Sequence, residues 1–249
     1  MDSGAIRTLL ASLNRYRPTD DRYDDYTYQE VSSKSLGNSP NNMQHYVFIY
    51  RKETVKVVGQ HQYQKKQTFV REPFAVQFQS EKTAIKKFVL VALHTEPSQV
   101  VKEIDWLYDV FEEVSKKWKN PHVMFLGDFH AGCAHLNRAN KKSIRIFTNS
   151  SFSWLIGDKV DTTVSEETSC PYDRIVVHGE RFLKTITPYS AGVFNYIKDF
   201  KLSRTKAQEL SDHMPVQVKL KSSALLLQAT PLMILICVSA IVQSFLSAL

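Results

Sequence analysis

The run Val123-Met124-Phe125-Leu126-Gly127-Asp128-Phe129-His130 decides how the rest of the chain is read. Four consecutive apolar residues without charge read as a strand covered on both faces. Gly127 permits a tight backbone turn where that strand leaves its sheet. Asp128 is thereby delivered to a sheet rim, the place where ligands gather in sheet proteins. An aspartate that merely caps the next turn would explain an isolated Gly-Asp pair, so the reading depends on what else reaches that rim.

Working upstream, Pro97-Ser98 predicts the start of a helix. Its Ile104, Leu107, Tyr108, Phe111, Val114 and Trp118 form one apolar stripe, while Lys102, Glu103, Glu112 and Glu113 are left to water. Before it, Lys86 to His94 and Pro73 to Gln79 read as strands. The strand ending at His94, the helix and the strand ending at Asp128 make a crossover unit with parallel strands. His45 to Arg51 and Thr54 to Gly59 are β-rich runs with little between them, which predicts a hairpin. Ile6, Leu9, Leu10 and Leu13 fall at helical spacing, and Asn14 to Tyr28 reads as a surface loop. Downstream, residues 136 to 150 are basic and weakly helical, and Trp154-Leu155-Ile156-Gly157 is a short apolar segment. Arg174 to His178 follows Asp173 as a strand, and Pro215 to Leu220 is the last strand, behind Ser211-Asp212-His213.

The chain of 249 residues, 43% hydrophobic, is long enough for one domain over residues 1–221. The formal net charge of +7 lies wholly in that part and favours polyanionic partners without choosing between nucleic acid and anionic membrane. Residues 225–249 are uncharged, overwhelmingly apolar and long enough to span a bilayer, with the small residues Ser222-Ser223-Ala224 just upstream. Residues 222–249 are therefore expected to be a lipid-anchor (GPI) signal, an uncleaved membrane anchor or, as a third choice, a core helix. Met1 to Arg7 holds no apolar segment of the secretory type. Of three cysteines, Cys237 lies in the apolar tail, so at most one bridge within the chain is expected, and it requires an oxidising compartment.

His94 and Asp128 end two strands read as parallel, while Asp173 and the Asp212-His213 pair begin two later ones. If those later strands run antiparallel to the first two, all five residues share one rim. Carboxylates hold a hard divalent cation through oxygen, and imidazoles move protons near neutral pH, a combination suited to phosphoryl-ester hydrolysis. Singly, each has a plain structural alternative: a satisfied histidine at a strand end, an Asp173-Arg174 ion pair, a turn aspartate before Met214-Pro215.

Five segments, Leu93-His94-Thr95, Gly127 to Cys133, Asp161-Thr162-Thr163, Tyr172-Asp173-Arg174-Ile175-Val176 and Ser211 to Val216, resemble in order and spacing the signatures of the DNase I family. Arg71-Glu72-Pro73-Phe74 is a further family element. The resemblance runs from about Asp2 to Leu220 and is nearest to the gamma-type and X-type branch. It implies an α/β fold, a two-sheet sandwich of the endonuclease/exonuclease/phosphatase type. It also implies an endonuclease that hydrolyses DNA with Mg2+, assisted by Ca2+, and is secreted or held at the cell surface. Carried over by motif, His94 and His213 are the acid and base pair and Asp173 orients His213. Asp128 and Asp212 belong to the metal and phosphate site, and Arg51, His130 and Tyr172 fall at phosphate- or DNA-contacting positions. Cys133 and Cys170 match a structural disulfide, worth roughly 2 to 4 kcal/mol if formed.

Three departures qualify that picture. Gln29-Glu30-Val31 looks like the family's Gln-Glu-Val strand end, which supplies a metal-binding glutamate, but it precedes a segment that belongs well downstream of that motif. The chain is expected to begin just past the true motif, leaving His94 without its carboxylate and the nuclease activity weak or absent. His130 stands where the family carries asparagine, and an imidazole cannot supply a carboxamide's simultaneous donor and acceptor. Residues 57 to 67 carry no cysteine, so the second small disulfide is absent. Nothing supports actin binding, and a monomer is expected. The competing reading is an inactive protein that holds DNA or a protein through Arg138, Lys141, Lys142 and Arg145. A lipid or inositol phosphatase on the same sandwich is disfavoured by the Arg71-to-Phe74 element.

Overall fold

Near-continuous apolar runs with branched and aromatic side chains are what a strand needs when both of its faces are covered. The computed structural model, which describes residues 3–15, 27–40, 43–64 and 69–223, places four such runs side by side. The elements in chain order are α1 (Ser3–Arg15), β1 (Tyr28–Ser32), β2 (Val47–Arg51), β3 (Lys56–Gln62), β4 (Phe74–Gln79), β5 (Lys87–Ala92), α2 (Val100–Trp118) and β6 (Val123–Asp128). They continue with α3 (Arg138–Lys141), α4 (Arg145–Thr148), β7 (Phe152–Trp154), β8 (Asp173–His178), short helical turns, β9 (Gly192–Val193) and β10 (Val216–Gln217). Of the loop predicted from Asn14 to Tyr28, residues 16–26 lie outside the described residues, as does the apolar tail at 225–249, while Asn14 lies in α1 and Tyr28 opens β1. Among the described residues no helix is long and apolar enough to cross a membrane.

One six-stranded mixed sheet, ordered β3-β4-β5-β6-β8-β7, carries the fold. β5 and β6 are parallel, joined by α2 as the crossover, and β8 runs antiparallel to β6 with Asp128 directly opposite Asp173. Alternate strand residues serve opposite faces. Val89, Val91, Val123 and Phe125 meet the α2 stripe of Ile104, Leu107, Val110 and Val114, all fully buried. Phe88, Met124, Ile175 and Val177 face a second layer formed by two ribbons, β1–β2 and β9–β10. Each fully buried aliphatic or phenyl side chain contributes about 1.5 to 3 kcal/mol, so these two interfaces supply most of the cohesion.

Three expectations are corrected. The runs 45–51 and 54–59 are not a hairpin: β2 pairs with β1, and β3 pairs with β4 in the main sheet. The turn at 52–54 therefore crosses between layers, and Phe48 and Tyr50 of β2 and Val57 of β3 pack into the same interface from its two sides. Glu103 is fully buried, where its carboxylate accepts the Val70 and Glu96 amides at 2.9 and 2.8 Å. Finally, the strand behind His213 belongs to the second layer, so the site is assembled across both layers and not along one rim.

Gly127 has φ +137, and a Cβ there would stand 2.1 Å from the Leu93 carbonyl oxygen of the neighbouring strand end. Only glycine fits both demands. Gly127→Ala is expected to destabilise the fold by about 3 kcal/mol or more in urea melts. Gly192→Ala, with open space at its Cβ, is expected to change stability by less than about 0.5 kcal/mol. Equal effects of the two would remove Gly127 from this role.

Candidate active site

The parallel pairing of β5 and β6 brings the two strand ends together: the Leu93 and Thr95 amides donate to the Leu126 and Asp128 carbonyls. Asp173 opens β8 opposite Asp128. His213 arrives from the second layer through a bridge to Thr163, and the Met214 amide donates to the Thr162 carbonyl. The buried Thr162 hydroxyl accepts the Tyr172 and Asp173 amides, both at 3.1 Å, so the Asp161-Thr162-Thr163 motif fixes both halves of the His213–Asp173 dyad.

His94 Nε2 and His213 Nε2 lie 3.5 and 3.9 Å from the same oxygen, Asp128 Oδ2. Their other ring nitrogens are held differently. His213 Nδ1 meets Asp173 Oδ2 at 2.6 Å, a carboxylate, whereas His94 Nδ1 meets Gln44 Oε1 at 2.8 Å, a neutral carboxamide. The two rings accordingly ionise in opposite directions. The Asp173 hydrogen bond lifts His213 to about 9, against the opposing effect of burial and with help from the charges of Asp173, Asp128 and Asp212. Burial pushes His94 below the ordinary histidine value, and Arg71, His130 and His213 reinforce that direction while Asp128 opposes it. Near neutral pH one imidazole is charged and its neighbour is not. Asp128 is pushed up, first by burial and then by Asp173, while the His130 amide and the two imidazoles pull it back.

His130 joins the cluster in an unusual backbone conformation, φ +45, with its amide donating to Asp128 Oδ1 at 2.9 Å. Its Nδ1 lies 3.3 Å from Asp128 Oδ1, and burial followed by the nearby His135 lowers it to about 4. The Tyr172 ring is 5.1 Å from that of His130 and 6.0 Å from that of His213. Cys133 and Cys170 are bonded, with Cα atoms 5.8 Å apart, and brace the loop after His130 against the segment leading to Asp173. Asp212 is exposed, outside the groups that could jointly hold a metal. Arg51 closes β2 at the end remote from Tyr46, exposed, with its Nε on the Tyr28 hydroxyl. Glu30 is exposed on β1, 3.4 Å from the Ser32 hydroxyl, and belongs to neither metal-capable group.

Those groups are His94 with Asp128 and His130, and Asp128 with Asp173 and His213. A hydrated Mg2+ fits, because that ion is commonly bound through one or two carboxylates and keeps several waters. Ca2+ takes six to eight oxygens, and at this cluster the described residues offer only Asp128 and Asp173, so the fit is poor.

Of four supporting residues, Gln44 and Tyr46 stand in no motif of the sequence, while Arg71 and Arg174 stand in family-like motifs that assign them no task. Gln44 meets His94 from 50 positions away, and the Tyr46 hydroxyl accepts the His94 amide at 2.9 Å. Buried Arg71 donates to the His94 and Thr95 carbonyls, which gives the Arg71-to-Phe74 element a physical task. Fully buried Arg174 donates to the Ala131, Ile156 and Pro171 carbonyls and to Asp158, tying the His130 loop down. The basic face of the competing reading is partly neutralised. Arg145 is clamped by Asp105 and Asp109, and Lys141 pairs with Asp158, leaving Arg138 and Lys142 exposed.

A raised histidine stabilises the fold fully below its unfolded value of 6.5, and that contribution fades as pH rises through about 9. Asp173→Asn is therefore expected to lower the melting temperature most near pH 6 and least above about pH 9.5. A deficit that stays constant over that range would sever the link between His213 and Asp173.

No family model matches the chain. Rat deoxyribonuclease gamma is 46% identical over 202 residues, which cover 79% of this chain and 65% of that protein. Mouse deoxyribonuclease-1-like 2 is 40% identical over 222 residues, 89% of this chain and 77% of that protein. Human deoxyribonuclease-1-like 1 is 40% identical over 220 residues, 88% and 70% of the two chains. The chain thus spans about 65% of the length of its gamma-type relatives. Among solved structures, zebrafish TDP2 complexed with a single-strand DNA product has a TM-score of 0.56 at 14% identity, covering 88% of this chain and 82% of that one. The human Nocturnin catalytic domain has 0.55 at 12% identity, covering 86% and 76%. These two show the shared α/β sandwich alone, and the curated relatives show the rest: the chain belongs to the DNase I family.

Proposed function

We propose that the protein is a Mg2+-dependent endonuclease that hydrolyses DNA phosphodiester bonds by acid–base catalysis. The observation that carries this reading is the pair of oppositely ionised imidazoles facing one oxygen of Asp128. Neutral His94 has its Nε2 free of the Gln44 bond and takes a proton from the attacking water. Charged His213, held by Asp173, gives a proton to the leaving oxygen. Asp128 and Asp173 would hold a Mg2+, which would supply Lewis-acid polarisation and charge neutralisation at the phosphoryl oxygens. His130 and Tyr172 line the same mouth as phosphate contacts. Asp212 and Arg51 are proposed as outer contacts to the metal shell and to DNA, in line with their exposure.

The disulfide supports an oxidising compartment, so we read the protein as belonging to the secretory pathway or cell surface, with residues 222–249 as its membrane attachment. Weak activity is expected of this chain, because a carboxamide at Gln44 cannot stabilise the imidazolium that forms on His94 as a carboxylate would.

Supercoiled-plasmid nicking with Mg2+ tests the reading. His94→Ala and His213→Ala are each expected to lower the rate by about 10²- to 10⁴-fold, with the double variant little worse than either. Wild-type nicking by the double variant would refute the assignment. Gln44→Glu is expected to raise the rate on the order of tenfold, equivalent to about 1.4 kcal/mol of barrier. A rate unchanged or lowered in Gln44→Glu would show that the partner of His94 does not limit the reaction.

A further inference from the structure

We propose that a cationic cleft at the pole of the main sheet opposite the candidate active site binds the phosphate of an anionic glycerophospholipid headgroup. The membrane surface then meets that pole, and the mouth with His94 and His213 faces away from it. This orientation rests on the reading of residues 222–249 as a membrane attachment, whereas the binding of the phosphate does not.

Strand direction sets the two poles apart. β5 and β6 run parallel toward His94 and Asp128, and β8 runs back from Asp173. The cleft lies at the other ends of the same three strands: Lys87 opens β5, His122 precedes β6 and His178 closes β8. Each strand has six residues, which separates the poles by roughly 20 Å. The cleft has a volume of about 820 Å³, within the range of small-ligand sites.

Its lining is cationic and largely unspent. Lys87, Lys119 and Arg181 are exposed there and, among the described residues, have no acidic partner. Glu180, the one acid in the lining, is held by Lys184 at 2.7 Å, and Lys86 by Glu81 at 3.4 Å. In the wall, Asn120 is only 7% exposed; its Oδ1 accepts the His122 amide at 3.0 Å, while its Nδ2 is a buried donor without a partner. Buried donors are nearly always paired, so this one marks a place where an acceptor is wanted. Burial, then Arg181 and His178, push the His122 imidazole below its ordinary value against a hydrogen bond to the Lys87 backbone. An anion placed among these groups relieves that repulsion.

The course of the chain indicates which phosphate. The Ala84 amide donates to the Lys221 carbonyl at 2.8 Å, and the Ser223 amide to the Lys82 carbonyl at 2.9 Å. Ala84 and its neighbour Ile85 line the cleft. The uncharged apolar run 225–249 thus begins two positions beyond a residue packed against the cleft's rim. A bilayer that takes up this run presents its headgroups at this pole, where unpaired lysine and arginine are attracted to anionic lipid. In the proposed reaction DNA is taken at the opposite mouth.

The test uses the full chain in neutral detergent micelles. It is titrated, without Mg2+, with dihexanoylphosphatidylglycerol, dihexanoylphosphatidylcholine, inorganic phosphate and a short single-stranded oligonucleotide. The His122 ring protons are followed by NMR and lysine acetylation by mass spectrometry. The phosphatidylglycerol is expected to raise the His122 pKa saturably and to slow acetylation of Lys87 and Lys119 relative to exposed Lys34, with the phosphatidylcholine changing neither. Lys87→Ala combined with Arg181→Ala is expected to weaken the phosphatidylglycerol response by about tenfold or more, with plasmid nicking unchanged. No response to phosphatidylglycerol, an equal response to phosphatidylcholine, or an unchanged affinity in the double variant would each overturn the site. Inorganic phosphate or the oligonucleotide binding as tightly as phosphatidylglycerol would overturn the headgroup as its ligand. Detergent-phase partition of the full chain reports separately on residues 222–249. A chain that stays in the aqueous phase and still responds to phosphatidylglycerol would overturn the orientation and the membrane attachment while the headgroup site stands.

Discussion

His94 and His213 approach the same oxygen of Asp128, at 3.5 and 3.9 Å. A half-buried carboxylate that faces two imidazoles cannot treat both alike unless their surroundings match, and here they do not. Asp173 behind His213 raises that ring, whereas burial lowers His94, whose far nitrogen meets only the Gln44 carboxamide. A carboxylate behind one ring, and burial with a carboxamide behind the other, set the two imidazoles apart in charge.

Holding three side chains at such spacing requires that the loops bearing them cannot drift. The loop after β5 is fastened by the Arg71 guanidinium, and that leading into β8 by the Thr162 hydroxyl. Arg174 fastens the loop after β6, and the Cys133–Cys170 bond joins it to the β8 side. Buried arginines that donate to backbone carbonyls are costly to desolvate and pin their loops firmly when satisfied. Their presence beside the cluster, and not in the apolar interfaces, fits a demand for positioning more than for cohesion.

The same carboxylate is met by a third imidazole. His130 adds an imidazole beside a carboxylate that otherwise presents oxygen, and its positive φ turns both its amide and its ring toward Asp128.

The sequence by itself determined the strand ending at Gly127-Asp128, the crossover helix with its buried stripe and the parallel pairing of the strands that end at His94 and Asp128. Each is written in local periodicity, turn chemistry or a family-like motif. The membership of β2 and β3 in different layers was not legible, because two β-rich runs separated by a short turn have the same pattern whether or not they pair. Glu103 was assigned to water because helical periodicity cannot see the Val70 and Glu96 amides that surround it. Tertiary structure alone decided that Gln44 stands behind His94 and that Lys141 and Arg145 face internal carboxylates. It also decided that His213 enters from the second layer. These are contacts between residues tens of positions apart, and no local pattern records the through-space partner that sets a side chain's charge.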